Sequence, residues 1–418
     1  MNPSPEISDE LRSRWPGLFD VPSSRVRRTV ARRIMRHATK TLPVCVTFAD
    51  GDRMGAGVDG SLEMVVRDPQ AFFGRLGTDA KIGFGESYMA GDWAPGPQTD
   101  LADLLTPFAR NMATLVPRPL QRLRRLAEAA QPAHEENTVE QARRNIGRHY
   151  DLSNEMFASF LDETMTYSSA MFAHGDDLAG AQRRKVDAVL DLAGVTRGTE
   201  VLEIGTGWGQ LAIQAAQRGA RVTSLTLSQE QRALALERVE RAGLTDSVDV
   251  LLEDYRLATG TFDAIVSVEM IEAVGMKFWP EYFATIDRLL RPGGSAAVQA
   301  ITIAHDRLLA TKDAYTWIHK YVFPGGIIPS VEAVEECCNT ATSLRVVSRH
   351  DFGADYARTL RLWRQRFLAN WDSVSGDPFD EVFRLMWEFY LAYCEAGFAS
   401  GYLNVAQFRL TRPADPLR

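Results

Sequence analysis

Three glycines at alternate positions, Gly205, Gly207 and Gly209, follow a short apolar stretch and precede a helical pattern in the segment TEVLEIGTGWGQLAIQAAQRGA. Glycine allows the backbone to turn sharply and to approach a ligand closely, and the first N–H groups of the following helix then face that ligand. The pattern alone is also typical of a nicotinamide dinucleotide site or of a simple glycine-rich turn. Glu203, just before the turn, and the order of the later elements favour S-adenosylmethionine as the cofactor.

The second strand predicted in this region ends in Thr226-Leu227-Ser228. A NAD-dependent oxidoreductase is expected to carry an acidic residue there, because a carboxylate at that position holds the ribose hydroxyls. The observed residues therefore disfavour an oxidoreductase. They predict that Thr226 and Gln231 share the ribose contact.

Four further apolar segments alternate with helical patterns after the glycine turn, and they read RVTSLTLSQEQ, SVDVLLEDYR, TFDAIVSVEMIEAVG and RPGGSAAVQAITI. Regular alternation of strands and helices is typical of a doubly wound, mostly parallel sheet that binds its ligand at the carboxyl ends of the strands. The predicted fold class is therefore α/β, with a Rossmann-like class I methyltransferase domain.

The N-terminal part of the chain predicts a smaller mixed α/β domain. RVRRTVARRIMRHATK, from Arg25 to Lys40, has the pattern of a basic amphipathic helix, and short strand patterns follow between Val44 and Val66. The helix pattern is equally compatible with a solvated surface helix and with contact to phospholipid. We expect an N-terminal lipid- or membrane-associated domain at 1–115, a linker at 116–137 and the catalytic domain at 138–418.

Composition excludes several classes of protein. The formal net charge of −7 argues against a nucleic-acid binder. No apolar run approaches the roughly 20 residues needed to cross a bilayer, and the first residues are too polar for a secretory signal. Cys45, Cys337, Cys338 and Cys394 have no metal-binding spacing, so we expect reduced cysteines and no metal. We expect a cytoplasmic enzyme, a homo-oligomer, whose membrane contact is peripheral on the inner face of the cell membrane.

Several segments, in the same order, resemble the cyclopropane fatty acid synthase and mycolic acid methyltransferase family. They read GFGESYMAGDW, HYDLSNEMF, LDETMTYSSAMF, VLEIGTGWG, TLSQEQ, SVEMIEAVG, KYVFPGGIIPS, FGADYARTL and YCEAGFASGYLNVAQF, and they extend from Gly83 to Phe408. The resemblance implies a Rossmann-like catalytic domain that binds S-adenosylmethionine, a tunnel for a lipid acyl chain, and a smaller N-terminal domain that assists access to membrane lipid. It also implies transfer of a one-carbon unit to the cis double bond of an unsaturated phospholipid acyl chain.

Residue by residue, the resemblance assigns a set of positions to the cofactor. Tyrosine and serine hydroxyls can hydrogen-bond its amino-acid end, the glycine turn supplies backbone contacts, and an aromatic ring can cover the adenine. The predicted cofactor positions are Tyr167, Ser168, Glu203, Gly205, Gly207, Trp208, Gly209, Thr226, Leu227, Gln231, Asp254 and Tyr255.

Methyl transfer to an alkene leaves a carbocation, and a base must remove a proton from it. In the family a bound bicarbonate is this base, held by a cysteine, a glutamate, a histidine, the backbone at an isoleucine, and a tyrosine. Glu272, Ile301 and Tyr356 match three of these positions, whereas Ser169 replaces the cysteine and Gln299 replaces the histidine. Serine and glutamine can still hydrogen-bond an anion, so bicarbonate is one candidate base.

A carboxylate of the protein is the other candidate base, with Glu163, Glu269 and Glu272 nearest in sequence to these motifs. Cys394, in YCEAGF, matches a cysteine once considered a nucleophile of the family. Direct transfer from a sulfonium needs no covalent enzyme intermediate, so a buried structural cysteine is the preferred interpretation.

The cation can close to a cyclopropane ring, or it can leave an exomethylene branch that a separate flavin- or nicotinamide-dependent reductase could saturate. The serine and glutamine replacements, SVEMIEAVG and QAIT resemble the actinobacterial branch of the family that makes 10-methyl fatty acids of the tuberculostearic type. We therefore expect 10-methylene or 10-methyl products, with cyclopropane-fatty-acyl-phospholipid synthesis as the alternative. The complete cofactor domain disfavours a non-enzymatic lipid-binding protein, and the N-terminal domain disfavours a small-molecule methyltransferase.

Overall fold

The computed structural model of the chain describes residues 8–58, 61–112 and 153–414. Its α-helices, in chain order, are α1 (Asp9–Arg14), α2 (Arg25–Thr39), α3 (Pro69–Thr78), α4 (Ala80–Met89), α5 (Leu101–Arg110), α6 (Asn154–Phe160), α7 (Leu178–Leu192), α8 (Gln210–Gln217), α9 (Gln229–Arg241), α10 (Trp279–Leu289), α11 (His305–Thr311), α12 (Trp317–Tyr321), α13 (Val331–Ala341), α14 (Gly353–Ala369), α15 (Trp371–Val374) and α16 (Glu381–Ala399). Its strands are β1 (Val44–Phe48), β2 (Arg53–Met54), β3 (Leu62–Val66), β4 (Trp93–Pro95), β5 (Glu200–Ile204), β6 (Arg221–Thr226), β7 (Val248–Leu252), β8 (Phe262–Val268), β9 (Leu290–Ile303), β10 (Arg345–Asp351) and β11 (Leu403–Thr411).

The chain forms two compact units. The first takes its described residues from Met1–Ala130, Ala314–Tyr321 and Ser375–Ala396, and the second from Gln131–Asp313, Val322–Val374 and Gly397–Arg418. The sequence predicts one continuous catalytic domain at 138–418. In the structure, two segments within that range, Ala314–Tyr321 and Ser375–Ala396, belong to the first unit. The linker predicted at 116–137 and the predicted start at 138 lie outside the described residues.

Aromatic packing explains why two late segments join the first unit. The ring of Phe389, on α16, has its centroid 4.9 Å from that of Trp317 on α12 and 5.5 Å from that of Tyr88 on α4. A Cβ on Gly85, also on α4, would lie 2.5 Å from Cδ1 of Trp317. Glycine is therefore needed for the close approach of that indole ring, a constraint that helical periodicity alone does not reveal.

The first unit confirms the smaller mixed α/β domain. Its sheet has the order β2-β1-β3-β4, with β1 parallel to β3 and the other pairs antiparallel. The basic helix predicted from Arg25 is α2, which begins after Ser24, whose hydroxyl accepts a hydrogen bond from the Arg27 N–H. Ala31 and Met35 are buried on one face of this helix, and arginines are exposed elsewhere on it together with Val26 and Val30.

The second unit confirms the mostly parallel sheet. Its strand order is β10-β11-β9-β8-β5-β6-β7. Strands β7, β6, β5, β8 and β9 are parallel to one another, and these are the five strands that the sequence predicts. Strand β11 pairs antiparallel with β9, and β10 pairs antiparallel with β11. The two antiparallel strands were not predicted.

Both faces of this sheet are covered, so consecutive residues of its central strands are buried, as Val201 to Ile204 of β5 are. Val201 of β5 packs with Val189 of α7 and Ala212 of α8 on one face, and Leu202 packs with Phe283 of α10 on the other. On one side of β5 the sheet continues with β6 and β7, and on its other side it continues with β8. This reversal at β5 and β8 opens a crevice at the carboxyl ends of these strands, where ligands of doubly wound sheets bind.

Candidate active site

The glycine turn follows β5 directly, and each of its glycines has a positive φ, at +98°, +51° and +88°. A Cβ on Gly205 would lie 2.5 Å from Cγ of Met270, and one on Gly209 would lie 3.1 Å from Cβ of Ala235. Gly207 differs, because no atom lies within 4 Å of its ideal Cβ. The first and third glycines therefore serve close packing, and the middle glycine borders open space.

That open space belongs to a cavity, called here the cofactor cavity, at the carboxyl ends of β5, β6 and β8. Gly209 is not in its lining and instead begins α8. The other predicted cofactor positions line it, and these are Tyr167, Ser168, Glu203, Gly205, Gly207, Trp208, Thr226, Leu227, Gln231, Asp254 and Tyr255.

The nucleoside side of the cavity is ordered by local hydrogen bonds. The Thr226 hydroxyl donates to Oε1 of Gln231 at 3.1 Å, which links the two residues predicted to contact the ribose. The Asp254 carboxylate accepts from Nη2 of Arg256 at 2.7 Å, so this acid is already paired. The buried hydroxyl of Tyr255 has no hydrogen-bond partner in the described structure.

The opposite side of the cavity contains charged groups that are almost fully buried. Lys185 on α7 donates from Nζ to Oγ of Ser168 at 2.6 Å, and Glu203 accepts from the Ser224 hydroxyl at 2.5 Å. Burial lowers the pKa of Lys185 to about 8, against the opposing effect of the nearby carboxylates. Burial likewise raises the pKa of Glu203 to about 8, although the Ser224 hydrogen bond and Lys185 oppose that shift.

The predicted anion cage contains a carboxylate of the protein itself. Glu269 follows β8, and its carboxylate accepts from the Ser169 N–H at 2.9 Å, from Nε2 of Gln299 at 2.8 Å and from the Tyr356 hydroxyl at 2.7 Å. These three groups are called here the donor cage. The serine contributes its backbone, because its hydroxyl donates to the Ala170 carbonyl. Glu269 therefore occupies three of the five positions that the resemblance gave to bicarbonate, so a carboxylate of the protein stands where that ion was expected.

Glu272 and Ile301 pair with each other, and that they surround one anion together with the donor cage stays a prediction. Oε1 of Glu272 accepts from the Ile301 N–H at 2.5 Å, and its buried Oε2 has no hydrogen-bond partner. Burial, and next the charge of Glu269, raise the pKa of Glu272 to about 8. Glu272 does not line the cofactor cavity.

Two other candidates, Glu163 and Cys394, do not line the cofactor cavity. The exposed carboxylate of Glu163 is ion-paired with Arg183 at 2.8 Å. Cys394 lies on α16 among residues of the first unit, and burial raises the pKa of its thiol to about 12. A thiol with so high a pKa is not a nucleophile at neutral pH, so the preferred structural role of this cysteine is retained.

Two residues of the site were absent from the predicted set. Glu269 was weighed as a base but not selected, although its place just after a central parallel strand was a usable signal. Lys185 was not predicted, because the sequence pattern that points to it is weaker than the one that points to Glu269. It shares one face of α7 with buried Gln182 and Val189, so helical spacing placed a lysine on a buried face.

The cavity fits S-adenosylmethionine in several respects. Gly207 leaves space for a ligand, Tyr255 adds an aromatic side chain to the lining, and Lys185 and Glu203 place ionisable groups in one wall. A zwitterionic amino acid joined to a nucleoside matches such a lining. Fold and cavity together define a class I S-adenosylmethionine-dependent methyltransferase.

Comparisons with known proteins place this methyltransferase more narrowly. The family described as mycolic acid cyclopropane synthetase matches residues 137–408. Tuberculostearic acid methyltransferase UfaA1 of Mycobacterium tuberculosis is 48% identical over 414 residues, covering 96% of each chain. Cyclopropane-fatty-acyl-phospholipid synthase of Escherichia coli is 34% identical over 376 residues, covering 86% of this chain and 91% of the relative.

Solved structures agree with this placement. The cyclopropane synthase MmaA2 from Mycobacterium tuberculosis aligns with a TM-score of 0.60 and 31% identity, over 64% of this chain and 98% of that one. The mycolic acid cyclopropane synthase CmaA1, complexed with SAH and CTAB, aligns with a TM-score of 0.60 and 30% identity, over 67% and 99%. The chain belongs to the mycolic acid cyclopropane synthetase family.

The open space at Gly207 predicts that Gly207→Val blocks the cofactor, because the added side chain projects into the cavity. We expect the affinity for S-adenosylhomocysteine, measured by calorimetry, to fall by at least about tenfold. Gly198→Val is the matched control. Gly198 also has a positive φ, +83°, and open space at its Cβ, but it does not line the cavity. Equal loss of affinity in both variants would attribute the effect to backbone strain and contradict the assignment.

Proposed function

We propose that this enzyme transfers a methyl group from S-adenosylmethionine to the double bond of an unsaturated phospholipid acyl chain, and that Glu269 removes a proton from the resulting cation. The proposed product is the 10-methylene fatty acyl chain, the precursor of a 10-methyl chain. The observation that carries this proposal is the Glu269 carboxylate within the donor cage. The substrate class is supported by the relatives, one of which is a tuberculostearic acid methyltransferase and another a cyclopropane-fatty-acyl-phospholipid synthase.

The chemistry balances with one base. The bound cofactor supplies an electrophilic methyl group. The alkene π electrons form the new carbon–carbon bond, S-adenosylhomocysteine leaves, and the second alkene carbon becomes a cation. When a hydride then moves from the methylated carbon to that cation, loss of a methyl proton to Glu269 gives a methylene branch. Without the hydride shift, loss of the same proton closes a cyclopropane ring.

Saturation of the methylene branch needs two electrons and two protons, which methyl transfer does not provide. A separate flavin- or nicotinamide-dependent reductase is therefore part of the proposal for any 10-methyl product. The present enzyme would supply the substrate of that reductase.

The surroundings of Glu269 suit a general base. Burial raises its pKa above the ordinary glutamate value of 4.5, while the hydrogen bonds from Tyr356 and Ser169, the charge of Lys185 and the Gln299 amide oppose that shift. A base is most effective when its pKa approaches the working pH and it is still ionised. The ring of Tyr356 stacks on Phe398 with centroids 4.4 Å apart, which fixes the hydroxyl that holds the carboxylate.

Glu269→Gln tests the base with little change of shape. The amide oxygen can accept from Ser169 and Gln299, and its NH₂ can donate to the Tyr356 oxygen, so the donor cage survives while basicity is lost. We expect turnover to fall by about 100-fold or more, with S-adenosylhomocysteine affinity unchanged. In the wild-type enzyme, the acid limb of the kcat profile should lie above pH 4.5, because burial raises the Glu269 pKa and protonation abolishes the base.

Glu272→Gln is the matched control. Glu272 does not line the cofactor cavity, and burial raises its pKa toward the protonated carboxyl that an amide resembles, so we expect turnover to fall by less than about tenfold. Both proteins should be assayed in carbonate-depleted buffer with and without added bicarbonate. A larger loss in Glu272→Gln than in Glu269→Gln would assign the base to Glu272, and bicarbonate dependence of the wild-type enzyme would restore the bound ion.

The product is tested by mass spectrometry of total fatty acids after expression in a host rich in monounsaturated phospholipid. We expect a methylene-branched acyl chain, converted to a methyl branch when a suitable reductase is co-expressed. A cyclopropane product would retain the substrate class but refute the proposed branch of the family. Products limited to small soluble molecules would refute the lipid substrate.

The proposal includes peripheral binding to the cytoplasmic face of the cell membrane through α2. Val26 and Val30, one turn apart, are 74% and 46% exposed. Arg25 and Arg33 lie exposed on the same helix. Exposed valines flanked by arginines suit a bilayer that contains anionic lipid, because the charges attract the headgroups and the apolar side chains enter the acyl boundary. No helix in the described part of the chain combines the length and apolarity needed to cross a membrane.

Replacing Arg25, Arg28 and Arg33 with glutamine should weaken vesicle binding. Each basic residue contributes about 1 kcal/mol near an anionic surface, so we expect sedimentation with phosphatidylglycerol vesicles to weaken by about 100-fold at low salt and much less at high salt. Arg32 is left unchanged because it is ion-paired with Asp52 at 2.7 Å. The control removes the same charge from Arg197, Arg221 and Arg241, exposed arginines of the second unit. Equal binding by both triple variants would exclude α2 as the membrane contact.

A further inference from the structure

Lys185 is held on the buried face of α7, beside the segment that precedes the donor cage. Its side chain and that of Gln182, three residues earlier, both contact this segment: Lys185 donates to the Ser168 hydroxyl at 2.6 Å, and Nε2 of Gln182 donates to the Ser168 carbonyl at 2.8 Å. Lys185 is only 1% exposed. Burial of an ammonium group is costly unless charge and hydrogen bonds compensate for it.

The protein itself provides little of that compensation. An ammonium group has three donors, and in the described structure that of Lys185 makes one hydrogen bond, to Ser168, and no ion pair. The acidic groups that face it are Glu269, Asp162 and Glu203. Glu269 is held by the donor cage, and Glu203 accepts from Ser224. Two donors of the ammonium group are thus left in the wall of the cofactor cavity.

We propose that Lys185 binds the α-carboxylate of S-adenosylmethionine. Lys185 and its hydrogen-bond partner Ser168 both line the cofactor cavity. The other cation in the described lining, Arg256, is engaged with the Asp254 carboxylate at 2.7 Å. The ammonium charge of Lys185 is opposite to that of the α-carboxylate, and charge-assisted hydrogen bonds of this kind are among the stronger ones.

In this assignment the cofactor carboxylate is the ionic partner of the buried Lys185 ammonium group. Burial lowers the pKa of Lys185, because the ammonium group is withdrawn from water. A carboxylate placed against the two remaining donors would satisfy them. Lys185 therefore acts on the cofactor and not on the acyl chain.

Lys185→Met removes the charge and keeps the length of the side chain. The test compares, by calorimetry, its affinities for S-adenosylmethionine and for decarboxylated S-adenosylmethionine, which lacks only the α-carboxylate. Because hydrogen bonds to charged groups are among the stronger ones, we expect the affinity for S-adenosylmethionine to fall by about 10- to 100-fold. Affinity for the decarboxylated ligand should equal that of the wild-type protein. The wild-type protein should itself prefer the carboxylated ligand by a similar factor.

Two further variants make the result decisive. Lys312→Met, at an exposed lysine of the second unit, should bind both ligands as the wild-type protein does. Lys185→Gln, whose amide can still donate to Ser168, is scored if a thermal melt shows that the methionine variant is unfolded, and the same ligand-selective loss is expected. If the folded variant weakens both ligands equally, or neither, the proposal is overturned and Lys185 serves the packing of Ser168 or the charge of Glu269. These assays require no turnover, so they stand apart from the test of Glu269 as the base.

Discussion

The active site depends on one buried carboxylate that three separate parts of the chain hydrogen-bond. Removing the Glu269 carboxylate from water is costly, and a backbone N–H, an amide and a phenol hydroxyl offset that cost. Ser169 belongs to the segment between α6 and α7, Gln299 to the central strand β9, and Tyr356 to the long helix α14. The end of β8 can bury this acid only after all three have assembled around it. The contacts that build the second unit are thus also the contacts that set the basicity of its proton acceptor.

Local sequence patterns predicted the parts of the fold that local physics controls. The five parallel strands, the glycine turn and the basic helix α2 each have a periodicity or a residue requirement that is visible over ten to fifteen residues. The antiparallel pair β10 and β11 lacked such a signal, because β10 is mostly exposed. The return of 314–321 and 375–396 to the first unit depends on aromatic contacts such as that of Phe389 with Trp317, which join residues far apart in sequence.

The same limit applies to the site. The cofactor lining was predictable because most of its residues lie at the ends of consecutive strands, whose relative positions the fold class determines. The three residues of the donor cage were among the predicted anion positions, but the Glu269 carboxylate that they hydrogen-bond was not. Its donors lie 30 to 100 residues from Glu269 in sequence, and only the register of β8 with β9 shows that a carboxylate already fills the space. An anion from solution loses translational entropy when it binds, whereas the Glu269 side chain loses only rotamer entropy during folding. The attached carboxylate therefore fills the donor cage at a lower entropic cost.

Glu269 has a φ of +52°, in the left-handed region that glycine enters without strain and other residues enter at a cost. The backbone at this position is therefore better suited to a residue with no side chain than to the one it carries. Loss of the side chain would leave the strand end in its present path and the donors of Ser169, Gln299 and Tyr356 around a space the size of a carboxylate. Without that side chain the donor cage would present three donors to a small oxyanion from the solvent, whereas in this enzyme the Glu269 carboxylate accepts from all three.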